Sequence, residues 1–470
     1  MSDNTSSAPL KPQPTAFMRW LALILISFAM FGNYYIYDSI SPLADVLKEQ
    51  LNFSDSGIGL LNAIYSIPNI LMVLIGGLII DRIGTRKSVF IFTVIIMIGA
   101  LVTALQGNLA LMATGRLIFG LGAESMIVAI TTIIARWFKG KELSFAFGLN
   151  LTVARLGSFL ALNSPTWGKS LYSYWQTPLW ITVFAGIFAV ICIIFYYFMD
   201  VYAAKKYDMP KDGEQDKIEF KELFKFGKSF WFITALCVTF YSAMFPFQTF
   251  AIKFFQEAHG TTREVGGNLS SILTLAAMIF TPLFGLLSDR IGKRSLLMML
   301  GSLTIIPVYL IMAYKVDLPG MIGIQGGFNI ALPAFGIEEA VIPYALIVPM
   351  AMMGFAFSLI PAVMWPSVAL VVREEKLGTA YGLMTMIQNI GLAGFNILIG
   401  WANDFSNASA SNPTGYRMGM WIFSILGFLG LFFAFMLRKN ETGPNAHGLE
   451  LSAAQKKAKE EAALETEASK

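Results

Sequence analysis

Twelve stretches of this chain run for about 20 or more mostly apolar residues, the length a helix needs to cross the hydrocarbon core of a bilayer. They fall at 17–40, 57–80, 88–106, 109–135, 142–164, 179–199, 229–256, 266–287, 295–314, 343–371, 377–402 and 417–437. In lipid the backbone must satisfy its own N–H and C=O groups, and a helix does so within one segment. A membrane barrel would show alternating segments of ~10 residues instead. Hydrophobic residues make up 56% of the chain and charged residues only 14%, against about 25% charged in an average soluble domain. Thirty acids and 34 bases cannot clothe 470 residues in a water-facing surface. A disordered chain, a secreted disulfide scaffold and a nucleic-acid binder are excluded on these numbers. The reading is an all-α polytopic membrane protein with the lipid bilayer as its surroundings.

The bases orient it. Of 34 Lys and Arg, 26 fall in one alternate set of connections, which includes both tails. Six fall in the other: Lys48, Lys169, Lys253, Arg263, Lys315 and Arg417. Arg116 and Arg155 remain inside apolar runs. The positive-inside rule puts the base-rich set and both termini in the cytoplasm. Phe17 opens a run too long for a signal-peptide core and without a small-residue cleavage site, so a retained first span is expected. Cys192 and Cys237 lie in apolar runs and read as packing residues. His259 and His447 lie outside them, which removes an intramembrane histidine relay.

The chain repeats itself. Residues 77–87 read GLIIDRIGTRK and residues 285–295 read GLLSDRIGKRS, after the second and eighth spans. At a common offset Phe147-Gly148-Leu149 echoes Tyr381-Gly382-Leu383, Gly157 matches Gly391 and Gly120 matches Gly354. The division is a tail 1–16, a six-helix bundle 17–200, a charged linker 201–228, a second bundle 229–437 with loop 315–342, and a tail 438–470. Two parallel repeats about an axis along the membrane normal are a transporter architecture, with the site at the midplane between them.

A charge at the bilayer centre costs roughly 2.5–3.5 kcal/mol on insertion scales. Glu124 and Arg155 carry that cost near the midpoints of the fourth and fifth spans, at similar depth on antiparallel neighbours. One reading is a buried ion pair joining two helices, which often gains nothing over apolar packing. The other places both beside a substrate. The arginine fork fits a carboxylate and the glutamate an ammonium, so together they suit a zwitterion. Arg116 lies eight residues from Glu124, about 12 Å along the axis, where support of local backbone fits it. Asp38 reads as a solvated charge at the mouth. The second half has no charge at matching depth: Asn389 stands opposite Arg155 in the repeat, and Ser358 opposite Glu124. Tyr241, Phe245, Trp365, Gln388 and Asn389 form its candidate wall of rings and neutral hydrogen bonds. Pro246, Pro361 and Pro366 are expected to interrupt the seventh and tenth spans.

The doubled D-R-x-G-x-R loop resembles the signature of the major facilitator superfamily, over essentially the whole membrane region. The resemblance implies twelve helices in two pseudo-symmetric six-helix bundles. It also implies a gate in these loops that latches the cytoplasmic side, with Asp81, Arg82, Arg86 and Arg136 in one half and Asp289, Arg290 and Arg294 in the other. Arg136 is the expected partner of Asp81. Longer strings narrow the family. GRLIFGLGAES, ARWFKGKELSFAFGLNLTVARLGS, MFPFQTFAIKFFQE and MWPSVALVVREEKLGTAYGLMTMIQNIGLA are similar to segments of the MFSD-one-type lysosomal dipeptide transporters. This implies facilitated transport of dipeptides, with Glu124 and Arg155 at the peptide termini. It also brings in an accessory membrane protein, which nothing in the residues requires.

The leading expectation is a dipeptide uniporter without cofactor or metal. The alternatives are a proton-coupled symporter of peptides or organic anions, and a non-transporting receptor on the same fold. The first span reads FGNYYIYDS and lacks the E-x-x-E-R-F-x-Y-Y pattern of proton-coupled peptide carriers, which favours uniport. No HExxH, GxSxG or Walker pattern appears, so an enzyme is not expected. The first 16 residues hold no acidic dileucine signal, which favours a bacterial-type plasma membrane over a lysosomal one.

Overall fold

The computed structural model describes residues 12–138, 143–208, 226–332, 337–373, 376–444, 446–452 and 455. All twelve apolar runs are helical. The first bundle contains α1 (Ala16–Asp38), α2 (Ala44–Leu51), α3 (Asp55–Ala63), α4 (Ser66–Ile83), α5 (Thr85–Leu105), α6 (Leu109–Phe138), α7 (Leu143–Leu162), α8 (Ser164–Trp167) and α9 (Gln176–Lys206). The second contains α10 (Lys228–His259), α11 (Arg263–Ile291), α12 (Arg294–Ala313), α13 (Leu318–Met321), α14 (Tyr344–Val371), α15 (Leu377–Phe405) and α16 (Arg417–Glu441). Ten helical stretches among the described residues are long and apolar enough to cross a membrane. The second expected span is divided between α3 and α4, and the fifth is the shorter α7.

Helix ends follow local chemistry. The Ser54 hydroxyl accepts from the Gly57 N–H at 3.0 Å and starts α3. In the two signature loops Gly84 and Gly292 hold φ of 84° and 65°, so the shared glycine turns the chain sharply after α4 and after α11. The prolines do not break their helices. α10 runs through Pro246 and α14 through Pro361 and Pro366. These two spans are the most deeply buried, so neighbours on all sides hold them continuous. The real interruption is at Ile64 and Tyr65, between α3 and α4.

Packing repeats between bundles as the sequence does. In the first, α1 packs on α7 and α9, α5 on α6 and α9, and α4 on α6. In the second, α10 packs on α15 and α16, α12 on α14 and α16, and α11 on α14. Gly157 and Gly391 sit at equivalent crossings: a Cβ at Gly157 would meet the Phe31 carbonyl oxygen at 2.3 Å, and one at Gly391 the Ser242 hydroxyl at 2.7 Å. The bundles meet through α15 against α3 and α4, and α11 against α7, again an exchange-symmetric pair. Exposed rings and aliphatics, such as Phe184, Phe195 and Phe198 on α9 or Phe428 and Phe432 on α16, form the lipid-facing belt.

Both described chain ends lie on one face, called here the termini face. On the far face, residues 315–342 are more than the loop expected from the sequence. They hold α13 and an antiparallel hairpin of β1 (Gly327–Leu332) and β2 (Ile337–Pro343), with Phe328 opposite Ile342. Residues 209–225 of the linker, most of the C-terminal tail and the loop 139–142 fall outside the described residues.

Candidate functional site

Between the bundles lies a cavity of about 240 Å³. Asn33, Tyr34 and Tyr37 of α1, Tyr65 at the α3–α4 interruption, and Phe119, Ala123, Glu124 and Ile127 of α6 form one wall with Arg155 of α7. Tyr241 and Phe245 of α10, Trp365 of α14, and Thr385, Gln388, Asn389 and Leu392 of α15 form the other. The structure thus gathers Glu124, Arg155, Tyr241, Phe245, Trp365, Gln388 and Asn389 around one space.

Glu124 and Arg155 do not pair. Among the described residues neither makes an ion pair within 4.0 Å, so the buried-pair reading has no contact to support it. The Arg155 guanidinium lies over the Tyr34 ring at 5.3 Å and the Phe357 ring at 5.5 Å. Both rings attract it as a cation, and its N–H groups make no hydrogen bond among the described residues. Two acceptors on the cavity wall, Asn33 Oδ1 and Asn389 Oδ1, are buried without a hydrogen-bond partner among the described residues. Buried polar atoms are rarely left so, and both suit an N–H donor. The amide of Asn389 is oriented by its Nδ2, which donates to the Thr385 carbonyl at 3.0 Å.

The opposite wall is a braced aromatic set. Trp365 Nε1 donates to the Tyr241 hydroxyl at 2.9 Å, and the Tyr381 hydroxyl donates to the Trp365 carbonyl at 3.0 Å. Tyr241 and Phe245 stack at 5.6 Å. On the first wall the Tyr65 hydroxyl donates to that of Tyr37 at 3.1 Å. Tyr34, Tyr37, Tyr65 and Asn33 were not among the candidates, although FGNYYIYDS holds three of them at helical spacing.

Arg116 supports backbone. It is 1% exposed and donates to the Leu61, Ile36 and Tyr37 carbonyls at 3.1–3.2 Å and to Asn62 Oδ1 at 3.2 Å. These acceptors surround the helix interruption and the end of α1, where carbonyls lose helical partners. Asp38 is not a solvated mouth charge. It borders a small polar pocket with Ser41, Asn62, Gln248 and Thr249, wedged between the bundles.

On the termini face the signature loops are tied within their own bundles. The Asp200 carboxylate at the end of α9 is fully buried and accepts from Arg86 Nε at 2.7 Å, Trp137 Nε1 at 3.1 Å and Arg136. Asp200 was not singled out from the sequence. Arg294 pairs with Asp289 at 2.5 Å. Arg82 and Arg290 are exposed, and the Asp81 side chain lies outside the described set. The returning tail caps α12: Glu450 accepts from the Ser295 N–H at 3.0 Å. On the far face, polar contacts join the two bundles. Arg263 holds Asp45 at 2.7 Å, Lys253 holds Asp55 at 2.5 Å, and the Asp404 carboxylate caps α3 through the Asp55 and Ser56 N–H groups at 2.9 and 2.8 Å.

Comparison with known proteins agrees with this architecture. Residues 24–337 and 247–465 match the family model of the Major Facilitator Superfamily. The lysosomal dipeptide transporter MFSD1 of Bos taurus is 32% identical over 399 residues, spanning 82% of this chain and 80% of that protein. The Homo sapiens protein of the same name gives the same identity and coverage. A solved bacterial homologue of the human lysosomal transporter Spinster, inward-facing and unoccupied, superposes with a TM-score of 0.68 at 15% identity, covering 91% of this chain and 98% of its own. That identity establishes the fold alone. With its doubled signature loop, its matched helix pairings and these similarities, the chain belongs to the Major Facilitator Superfamily, as a multi-pass membrane transporter.

Proposed function

We propose that this transporter carries short peptides, dipeptides first, by alternating access as a uniporter. The observation that carries the reading is Glu124 and Arg155 facing one cavity without neutralising each other. Two opposite charges held apart at the membrane centre match the separated ends of a zwitterion. The carboxylate of the cargo takes the free N–H groups of Arg155, and the ammonium takes Glu124. Asn33 and Asn389 offer acceptors to its remaining N–H donors. At ~30 Å³ per water the space equals roughly eight waters, a small-molecule volume. The MFSD1 relatives are named as dipeptide transporters, which supports the same class.

The termini face is assigned to the cytoplasm, on 26 bases against six. The far-face bonds then close the outer side. The plasma membrane is the proposed location, the lysosomal membrane of the named relatives being the alternative. Proton-coupled symport is the second reading, because Glu124 is a central carboxylate without an ion-pair partner among the described residues.

Purified protein in liposomes tests both. Labelled dipeptide is expected to exchange across the bilayer, to equilibrate without a pH gradient, and to be competed by unlabelled dipeptides. Accumulation that collapses with the gradient establishes symport. No exchange across a dipeptide library removes the peptide reading.

A further inference from the structure

Four charges cluster on the far face, each acid in contact with a base: Lys48, Asp55, Lys253 and Glu257. The central two join the bundles. Lys253 Nζ lies 2.5 and 2.6 Å from the two Asp55 carboxylate oxygens, and both side chains are fully buried. The outer two stand beside their own bundle's member of that pair. Lys48 lies 3.7 Å from Asp55 within the first bundle, and Glu257 lies 3.7 Å from Lys253 one turn along α10. Glu257 is fixed in the second bundle by the Tyr416 hydroxyl, which donates to it at 2.5 Å.

We propose that these residues form a partner-exchange gate. With the outer side closed, Asp55 and Lys253 satisfy each other across the bundles. When the bundles part, Asp55 falls back on Lys48 and Lys253 on Glu257, so each bundle leaves as a neutral pair. The physical need is plain. Breaking a buried pair by removing one partner leaves an uncompensated ion in low dielectric, which is strongly unfavourable. A carrier that must open its outer side on every cycle cannot strand two such ions each time. The four-charge cluster removes that barrier by keeping a second, longer contact ready for each ion. Opening then costs a change from 2.5 Å to 3.7 Å partners and not the loss of a partner.

The two kinds of residue therefore act with opposite sign. Asp55 and Lys253 hold the outer side shut. Lys48 and Glu257 make opening tolerable, so their removal holds it shut more firmly. The gate rests on the alternating-access reading and is independent of what the cargo is.

Spin labels at Ser170→Cys and Ala410→Cys, exposed far-face sites on the two bundles, report the outer opening by distance. The background carries Cys192→Ser and Cys237→Ser, with Asp45→Asn to remove a second cross-bundle bond and populate both distances. No peptide is added. Lys253→Met and Asp55→Asn are expected to raise the long-distance fraction at least threefold. Glu257→Gln and Lys48→Gln are expected to lower it at least threefold. If Lys253→Met does not fold, Asp55→Asn carries that arm. Shifts in the same direction, or none in either arm, overturn the gate. Opposite shifts with no dipeptide exchange leave the gate standing and remove the peptide reading alone.

Discussion

Glu124 on α6 and Arg155 on α7 open onto the same cavity and leave each other unpaired. A salt bridge between them would have closed the space that a ligand needs. Instead, the guanidinium lies over the rings of Tyr34 and Phe357. On the proposed reading, a guest carrying both charges would find the ordering cost met before binding.

Arg155→Lys keeps the charge and loses the fork. Hydrogen bonds to charged groups contribute about 1.5–3 kcal/mol, so dipeptide affinity is expected to fall roughly tenfold to a hundredfold. Glu124→Gln should weaken free-amino dipeptides far more than N-acetylated ones. Competition assays on the reconstituted protein measure both. Unchanged affinities in well-folded variants would return the two residues to a structural role.

The aromatic wall makes a smaller, separable contribution. Tyr241→Phe removes the acceptor of the Trp365 indole at 2.9 Å and frees that ring to rotate. The loss of one neutral hydrogen bond is about 1 kcal/mol, near fivefold in affinity. Trp365→Phe removes the donor and should give a similar loss, while the double variant should lose little more than either single one. Additive losses in that cycle would show that the rings act separately.

Much of this arrangement was legible from the residues alone. Twelve apolar runs and a doubled loop dictate two bundles, because lipid leaves the backbone few options. The cost of an intramembrane charge marked Glu124 and Arg155. It failed to mark Lys253 and Asp55, which lie near helix ends and are buried by contact between bundles. Lys253 was counted as one base among six outside the base-rich set. Asp200 escaped because its partners Arg86 and Arg136 lie on other helices of the same bundle, distant in sequence. The hairpin at 327–343 escaped because its strands are short and pair only with each other. The prolines misled because their effect depends on what packs around the helix, and α10 is enclosed.

Arg116 predicts a different signature from the cavity residues. Its guanidinium serves three carbonyls and one amide oxygen around the α3–α4 interruption. Arg116→Met fills the space but strands these acceptors, at roughly 1–3 kcal/mol for each buried group left unmade. The expected result is a lower unfolding temperature in detergent, with dipeptide affinity of the surviving folded fraction within about twofold of wild type (~0.4 kcal/mol). An affinity loss without a stability loss would place Arg116 in the binding machinery.

The last prediction concerns the seam where α3 meets α15. A Cβ at Gly400 would meet the Asp55 carbonyl oxygen at 2.5 Å, and one at Gly59 the Asn396 carbonyl oxygen at 2.4 Å. Both neighbours are backbone, so the only relief is to move the bundles apart. Gly400→Ala therefore strains the outer-closed state and leaves the outer-open state untouched. A cost of about 1.4 kcal/mol on one state alone shifts the balance tenfold. Distance measurements between outer labels should show the open fraction rise. Gly59→Ala on the opposite bundle should reproduce it. A closed fraction that stays unchanged in both variants would mean that the seam is loose enough to absorb a methyl group, and that the polar contacts of Asp55, Lys253 and Asp404 alone hold the outer side together.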